Sequence, residues 1–309
     1  MKQIVNIDAS SLSSAGCILN WKRVTVDGYR DKVSGAALVY GSAVHKYIEQ
    51  MYRTKGNIAK SRDAAFEVFR KPKVAGKSSQ HLLDEKHLLV TCFNVWEDYV
   101  LKDSTFQTLE LDNGPAVEVN FSFPFHETAN YEFRLTGTID RIGQIRNGCY
   151  AFRDWKTTSK YNIPEYLSEY KMSKQLRMYT LAFRKMHRLY PDSILGKIGG
   201  QAVGAIIDGI FLKAKASDNE YIASDLFMFS DDTMNEFESV LEHEVHKLGE
   251  ALESGRELPR EGIVKGVCKT DYKCKFWNVC GAPKQVQQVM LDRDFAKVHY
   301  DPLNFGASL

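Results

Sequence analysis

The chain has no run of about eighteen apolar residues, the length a membrane-crossing helix needs, and residues 1–8 carry no signal-peptide core. It is therefore expected to be soluble and cytoplasmic, in a reducing compartment, with no membrane partner. Net charge is scarce as well. A formal +2 over 309 residues argues against broad, sequence-blind coating of duplex DNA and leaves room for a local basic channel. No G-x-x-x-x-G-K-[ST] occurs, so the chain carries no phosphate-loop motor, and no internal repeat or low-complexity stretch points to a solenoid. Six cysteines are present without a single C-x-x-C pair. His243 and His246 are three apart, which is not the i, i+4 spacing of a zinc protease helix, and both read as surface residues.

With 44% hydrophobic residues the chain can bury a sizeable core. Its pattern predicts one domain over residues 1–309, with a mainly helical region at 1–105, an α/β core at 106–255 and a cysteine-rich segment at 256–309. Helices dominate to about residue 102, including one over 37–52 whose Val44, Ile48 and Met51 form an apolar stripe, with a basic loop at 71–79. Strands follow at 135–145 and 149–156, a long helix at 164–189, further strands at 204–213 and 221–229, and a helix at 231–254. Cys92 and Cys149 lie in apolar surroundings and read as small core residues.

Three short segments carry the chemistry: Gly137-Thr138-Ile139-Asp140, Asp154-Trp155-Lys156 and Gln175-x-x-x-Tyr179. Asp154 and Lys156 are two apart, so on a strand they leave the same face. The register depends on the turn. A two-residue loop at Asn147-Gly148 would place Asp140 opposite Trp155, whereas a three-residue loop, Arg146-Asn147-Gly148 with Gly148 left-handed, places Asp140 opposite Asp154. The three-residue loop is expected, with Asp140, Ile142, Tyr150, Phe152, Asp154 and Lys156 on one face. Acids at the end of an apolar patch need a partner, and Mg²⁺ or Mn²⁺, held by the two carboxylates with the Trp155 carbonyl, is the natural one. Such a metal activates water against a phosphodiester, and Lys156 would position the water or stabilise developing charge. Gln175 and Tyr179 share a helix face with Lys171 one turn before, where a base could stack on Tyr179 while Lys171, Lys174 or Arg177 contacts phosphate.

Cys268, Cys274 and Cys280 lie within thirteen residues, with Cys17 near the other end of the sequence. Clustered cysteines in a reducing compartment bind metal more often than they form disulfides. Zinc prefers closer pairs, whereas an iron–sulfur cube accepts varied spacings and a distant fourth ligand.

These motifs, with Ser10-Ser11-Leu12, Gly41-Ser42-Ala43-Val44-His45 and Glu118, resemble the PD-(D/E)xK nucleases, in particular the RecB-like branch that includes the AddB nuclease domain and the small CRISPR-associated exonucleases. Gly137-x-x-Asp140 stands where the family name puts Pro-Asp, as in similar RecB-like proteins. The resemblance implies a restriction-endonuclease-like α/β core, a central mixed sheet flanked by helices. It also implies a metal held by His45, Asp140 and Asp154, with Glu118 a further candidate, a catalytic Lys156, and Gln175 and Tyr179 lining the DNA path. It implies a 4Fe-4S cluster on Cys17, Cys268, Cys274 and Cys280, although Asp271 stands where the commonest spacing, C-x-x-C-x5-C, has its first cysteine. The implied activity is a DNA exonuclease on single strands or ends, in recombination, repair or replication, with a helicase or recombination partner for unwinding. A non-catalytic DNA-binding subunit and a structure-specific endonuclease are the alternatives.

Overall fold

A computed structural model describes residues 2–32, 35–70, 79–102, 105–146, 148–158, 162–201, 203–211, 222–269 and 274–298. The expected basic loop at 71–79 lies outside them except for Ser79. The chain forms two compact units interleaved in sequence: Met1–Lys32, Asn120–Gly137 and Asp231–Leu309 make the first, and Val33–Val119 and Thr138–Ser230 make the second.

In the second unit the later part of the long Tyr131–Ile145 strand forms a hairpin with Tyr150–Thr158. The pairing is antiparallel, with Arg141 opposite Arg153, Ile142 opposite Phe152 and Gln144 opposite Tyr150. Gly148 has φ +87° and its N–H donates to Ile145 O at 2.8 Å. The loop is the expected three-residue one, closed by a left-handed glycine that accepts this conformation without a Cβ clash. Tyr150–Thr158 runs parallel to Val203–Phe211, which pairs antiparallel with Ile222–Phe227, and Phe106–Thr108 pairs antiparallel with the end of the long strand. A parallel pair needs a crossover, and the Lys174–Leu189 helix lies within that connection.

The resulting mixed sheet is covered on both faces, the α/β architecture expected. Phe152 stacks on Phe183 of the crossover helix at 5.9 Å between centroids and meets Tyr179 edge-on at 5.6 Å. Trp155, pointing the other way, enters a cluster built from the helices Ala36–Arg53, Ile58–Phe69 and Ser79–Lys102, with Val44, Tyr47, Ile48, Phe93 and Trp96. The alternation along Phe152, Asp154, Trp155 and Lys156 thus divides the strand between two apolar layers.

The expected helix at 164–189 is interrupted. A short helix, Ile163–Ser168, opens with Pro in its first turn and passes into a 3₁₀ turn, Glu169–Met172. Ser173 then leaves helical geometry and caps Lys174–Leu189, its hydroxyl accepting from Leu176 N. Apolar periodicity continues through this break, which is why the sequence reads as one helix. Cys149, expected in the core, is exposed at the end of the hairpin loop, whereas Cys92 is buried as expected.

In the first unit, Gln3–Ile7 runs parallel to Tyr131–Leu135 of the long strand, a pairing not foreseen in a region read as helical. Asp8 and Ser11 form a reciprocal capping box at the start of the Ala9–Ser14 helix. Tyr29–Asp31 pairs with Phe295–Lys297, around a core of Tyr29, Phe276, Val279, Leu291 and Phe295. The Asp231–Glu253 helix buries Leu241, Val245, Leu248 and Leu252 and leaves His243 and His246 exposed. Among the described residues no helix is long and apolar enough to cross a membrane.

Candidate active site

Trp155 organises the acid cluster of the second unit from behind. Its indole is fully buried, edge-on to Trp96 at 5.4 Å and parallel to Tyr52 at 6.3 Å. With the side chain fixed, the Trp155 N–H donates to Asp140 Oδ2 at 2.8 Å, and its carbonyl accepts from His45 Nε2 at 3.0 Å. The residue that points away between Asp154 and Lys156 therefore holds both Asp140 and His45.

His45 stands in the middle of the Ala36–Arg53 helix, with Nδ1 3.5 Å from Asp140 Oδ2 and 3.7 Å from Glu118 Oε1. Glu118, the second residue of the Val117–Glu127 strand, has φ +50°. A non-glycine residue there costs about 1–3 kcal/mol, and such strain concentrates at functional sites. His45, Glu118 and Asp140 each offer a ligand atom within 4.8 Å of the others, and among the described residues they are the one such trio. Glu118 Oε1 is buried with no hydrogen-bond partner among the described residues. An orphaned carboxylate oxygen facing an imidazole and a second acid is the acceptor a divalent cation would satisfy, and the oxygen-rich set with one imidazole fits Mg²⁺ or Mn²⁺.

Asp154, opposite Asp140, is fully buried. Its Oδ2 lies 2.5 Å from Lys156 Nζ and its Oδ1 accepts from Gln175 Nε2 at 2.8 Å. Gln175 Nε2 also donates to Tyr179 Oη at 2.9 Å, and Tyr179 donates to Thr138 O at 2.6 Å. Gln175 and Tyr179 thus tie Asp154 to the strand that carries Asp140. The Tyr179 ring, expected as a stacking face for a base, is buried against Phe152, while Gln175 is half-buried. Lys171 is exposed but lies in the 3₁₀ turn before the break, not one turn earlier on the same helix.

Burial lifts the Asp140 carboxyl well above the usual carboxylate range, with Asp154 and Glu118 adding to the lift against His45 and Lys156. Burial alone would lower His45, but Asp140 and Glu118 outweigh it and push the imidazole to about 9. For Lys156 burial again opposes the charge, yet Asp154 and Asp140 leave its pKa raised. Acids packed this closely thus push up the Asp140 carboxyl and the two neighbouring bases, the mutual repulsion that a divalent ion would relieve. Sequence reasoning passed over Tyr166 and Tyr170, whose hydroxyls are 2.8 Å apart. Burial first, and the Asp154 charge with it, suppress the acidity of both. Their i, i+4 spacing was the available signal.

The first unit gathers the other constellation. Cys17, Cys268, Cys274 and Cys280 line one cavity of about 100 Å³ together with Arg23, Arg260 and Phe276. Cys17 precedes the Ile18–Trp21 helix, Cys280 lies in Trp277–Gly281, and Cys274 N donates to Cys268 O at 3.0 Å. A Cβ on Gly262 would come within 2.9 Å of Cys268 Sγ and 3.1 Å of Cys17 Cβ, so a side chain there would crowd the cysteine site. Burial raises the Cys268 thiol, with Cys17, Cys274 and Cys280 contributing. Residue 271 lies outside the described residues.

The sequence profile of the PD-(D/E)XK nuclease superfamily matches residues 10–281. No curated protein gives a significant match. Among solved structures, a candidate exonuclease from Eubacterium rectale is 12% identical, with 98% of this chain and 94% of that one covered at a TM-score of 0.46. An alkaline exonuclease from Laribacter hongkongensis is 11% identical, with 70% and 94% covered at 0.28.

Proposed function

The chain belongs to the PD-(D/E)XK nuclease superfamily, and we propose that it is a metal-dependent deoxyribonuclease that degrades DNA from free ends or along single strands. The observation that carries this reading is the convergence of His45, Glu118, Asp140, Asp154 and Lys156 on one hairpin and the elements beside it. His45, Glu118, Asp140 and Asp154, with the Trp155 carbonyl, would hold Mg²⁺ or Mn²⁺. When bound, the ion lowers the pKa of a water and neutralises charge at the scissile phosphate.

The protein's own groups supply the rest. Lys156, paired with the Asp154 carboxylate, would act as a donor to the attacking water or the phosphate oxygens. Gln175 fixes the Asp154 carboxylate so that its remaining oxygen faces Lys156. Replacing Gln175 with alanine is expected to cost about 10- to 100-fold in metal affinity or turnover, the usual effect of losing a partner that orients a ligand. Mn²⁺ titration beside steady-state cleavage would measure it.

The end-directed mode rests on the likeness of the motif order, Gly-x-x-Asp, Asp-x-Lys and Gln-x-x-x-Tyr, to RecB-like exonucleases. The same likeness, with four cysteines lining one cavity, supports a 4Fe-4S cluster of structural role that joins Cys17 to the Cys268–Cys280 segment. A helicase or recombination partner, or a substrate already single-stranded, would supply open strands. Digestion of linear and circular single-stranded DNA with Mn²⁺, Mg²⁺ or EDTA tests the proposal. Linear DNA should disappear only with metal while circles persist. Cleaved circles would make the protein a structure-specific endonuclease, and binding without cleavage would make it a DNA-binding subunit.

A further inference from the structure

One arginine of the first unit is placed with more care than a structural residue needs. Arg23 lies on a π-helical turn, Lys22–Val26, directly after the Ile18–Trp21 helix that Cys17 opens. Single π turns are rare and recur at functional sites, because the added residue re-aims a side chain. The Arg23 side chain is 6% exposed, within the cavity lined by the four cysteines. Its Nη1 donates to Cys280 Sγ at 3.1 Å, its Nη2 donates to Gln287 Oε1 at 3.4 Å, and the guanidinium lies 5.3 Å from the Phe276 ring centroid. Arg260, which lines the same cavity, donates from Nη1 to the Cys280 carbonyl at 2.5 Å. Among the described residues no acid is a hydrogen-bond partner of Arg23, so a fixed, buried positive charge is directed at one of four sulfurs.

We infer that Arg23 is the residue that tunes the cysteine site: its N–H donates to the sulfur of Cys280, and when a four-iron cluster is present this bond and its charge favour the reduced state. The inference rests on the cluster reading above. A cluster held by four thiolates carries net negative charge, and one-electron reduction adds another. Hydrogen bonds to the sulfurs and nearby positive charge stabilise the more negative state, which raises the reduction potential. Cys280 is the ligand whose electron density Arg23 withdraws, and Arg260 holds the backbone of the same residue. A zinc ion has no such couple, so this effect belongs to iron.

The test is a reductive titration of anaerobically purified full-length protein, followed by absorbance near 400 nm and electron paramagnetic resonance, for wild type, Arg23→Gln and Arg23→Lys. Arg256→Gln, an exposed arginine that does not line the cavity, is the control. Each electron enters from the electrode mediator and only the iron is reduced. The midpoint potential should fall for Arg23→Gln and fall less for Arg23→Lys, which keeps the charge but loses the planar fork. It should stay at the wild-type value for Arg256→Gln. Iron-loaded Arg23 variants with unchanged potential and spectrum would overturn the inference and leave the cluster standing. Wild-type protein without iron or the 400 nm band would remove the cluster and the inference together. Should Arg23→Gln fail to fold by circular dichroism, Arg23→Lys decides alone.

Discussion

Asp154→Ala and Lys156→Ala are each expected to reduce metal-dependent DNA cleavage by on the order of 10²–10³-fold or more while DNA binding persists. Asp154 is a proposed metal ligand and the anchor of a hydrogen-bond chain in which Gln175 and Tyr179 donate and the Thr138 carbonyl accepts, so its removal takes away a negative charge and unties Lys156. Lys156 is half-buried beside two acids, and without it the buried Asp154 charge loses its closest counter-charge. Alanine at either position leaves a polar group without a partner, so Asp154→Asn and Lys156→Met, which keep the volume, should accompany them. All four variants should retain the native far-ultraviolet spectrum and bind end-labelled single strands in EDTA. Cleavage within threefold of wild type in a well-folded Lys156 variant would sink the assignment of this site.

Trp155→Ala should give the largest loss of stability, about 3–5 kcal/mol. The indole is fully buried between Tyr52, Trp96 and the His45 ring, and truncation opens a cavity where three helices meet the sheet. The consequence reaches the site, because the backbone N–H and C=O of the same residue hold Asp140 and His45. Urea unfolding should show a lower midpoint with little change in slope, and metal affinity should fall alongside. Trp155→Phe, which keeps an aromatic ring in the cluster, should lose less on both measures. A loss under about 1 kcal/mol for the alanine variant would mean that the indole does not anchor the strand.

The active-site hairpin was legible because everything that sets it is local. A strand repeats every two residues, and one glycine able to turn left-handed fixed a three-residue loop, so Arg141 pairs with Arg153 and Ile142 with Phe152 in the register read. Cys92 and the helix around His45 followed from apolar spacing for the same reason. Where two local signals competed, the reading failed. The apolar stripe from 164 to 189 hid the Ser173 cap, and with it the true places of Lys171, Tyr166 and Tyr170. Cys149 looked like a strand residue and is exposed beside the loop.

By itself the sequence determined the superfamily, the α/β class and the register of the hairpin, since each depends on residues close in the chain or on a motif of fixed spacing. Only the tertiary structure decided that Glu118 joins His45 and Asp140 through a left-handed backbone, and that the Tyr179 hydroxyl turns inward to Thr138. It alone decided that Gln3–Ile7 adds a parallel strand and that Arg23 meets Cys280 across 257 residues of chain. These contacts follow from where the chain returns after long excursions, which the packing of the whole core sets and no local pattern encodes.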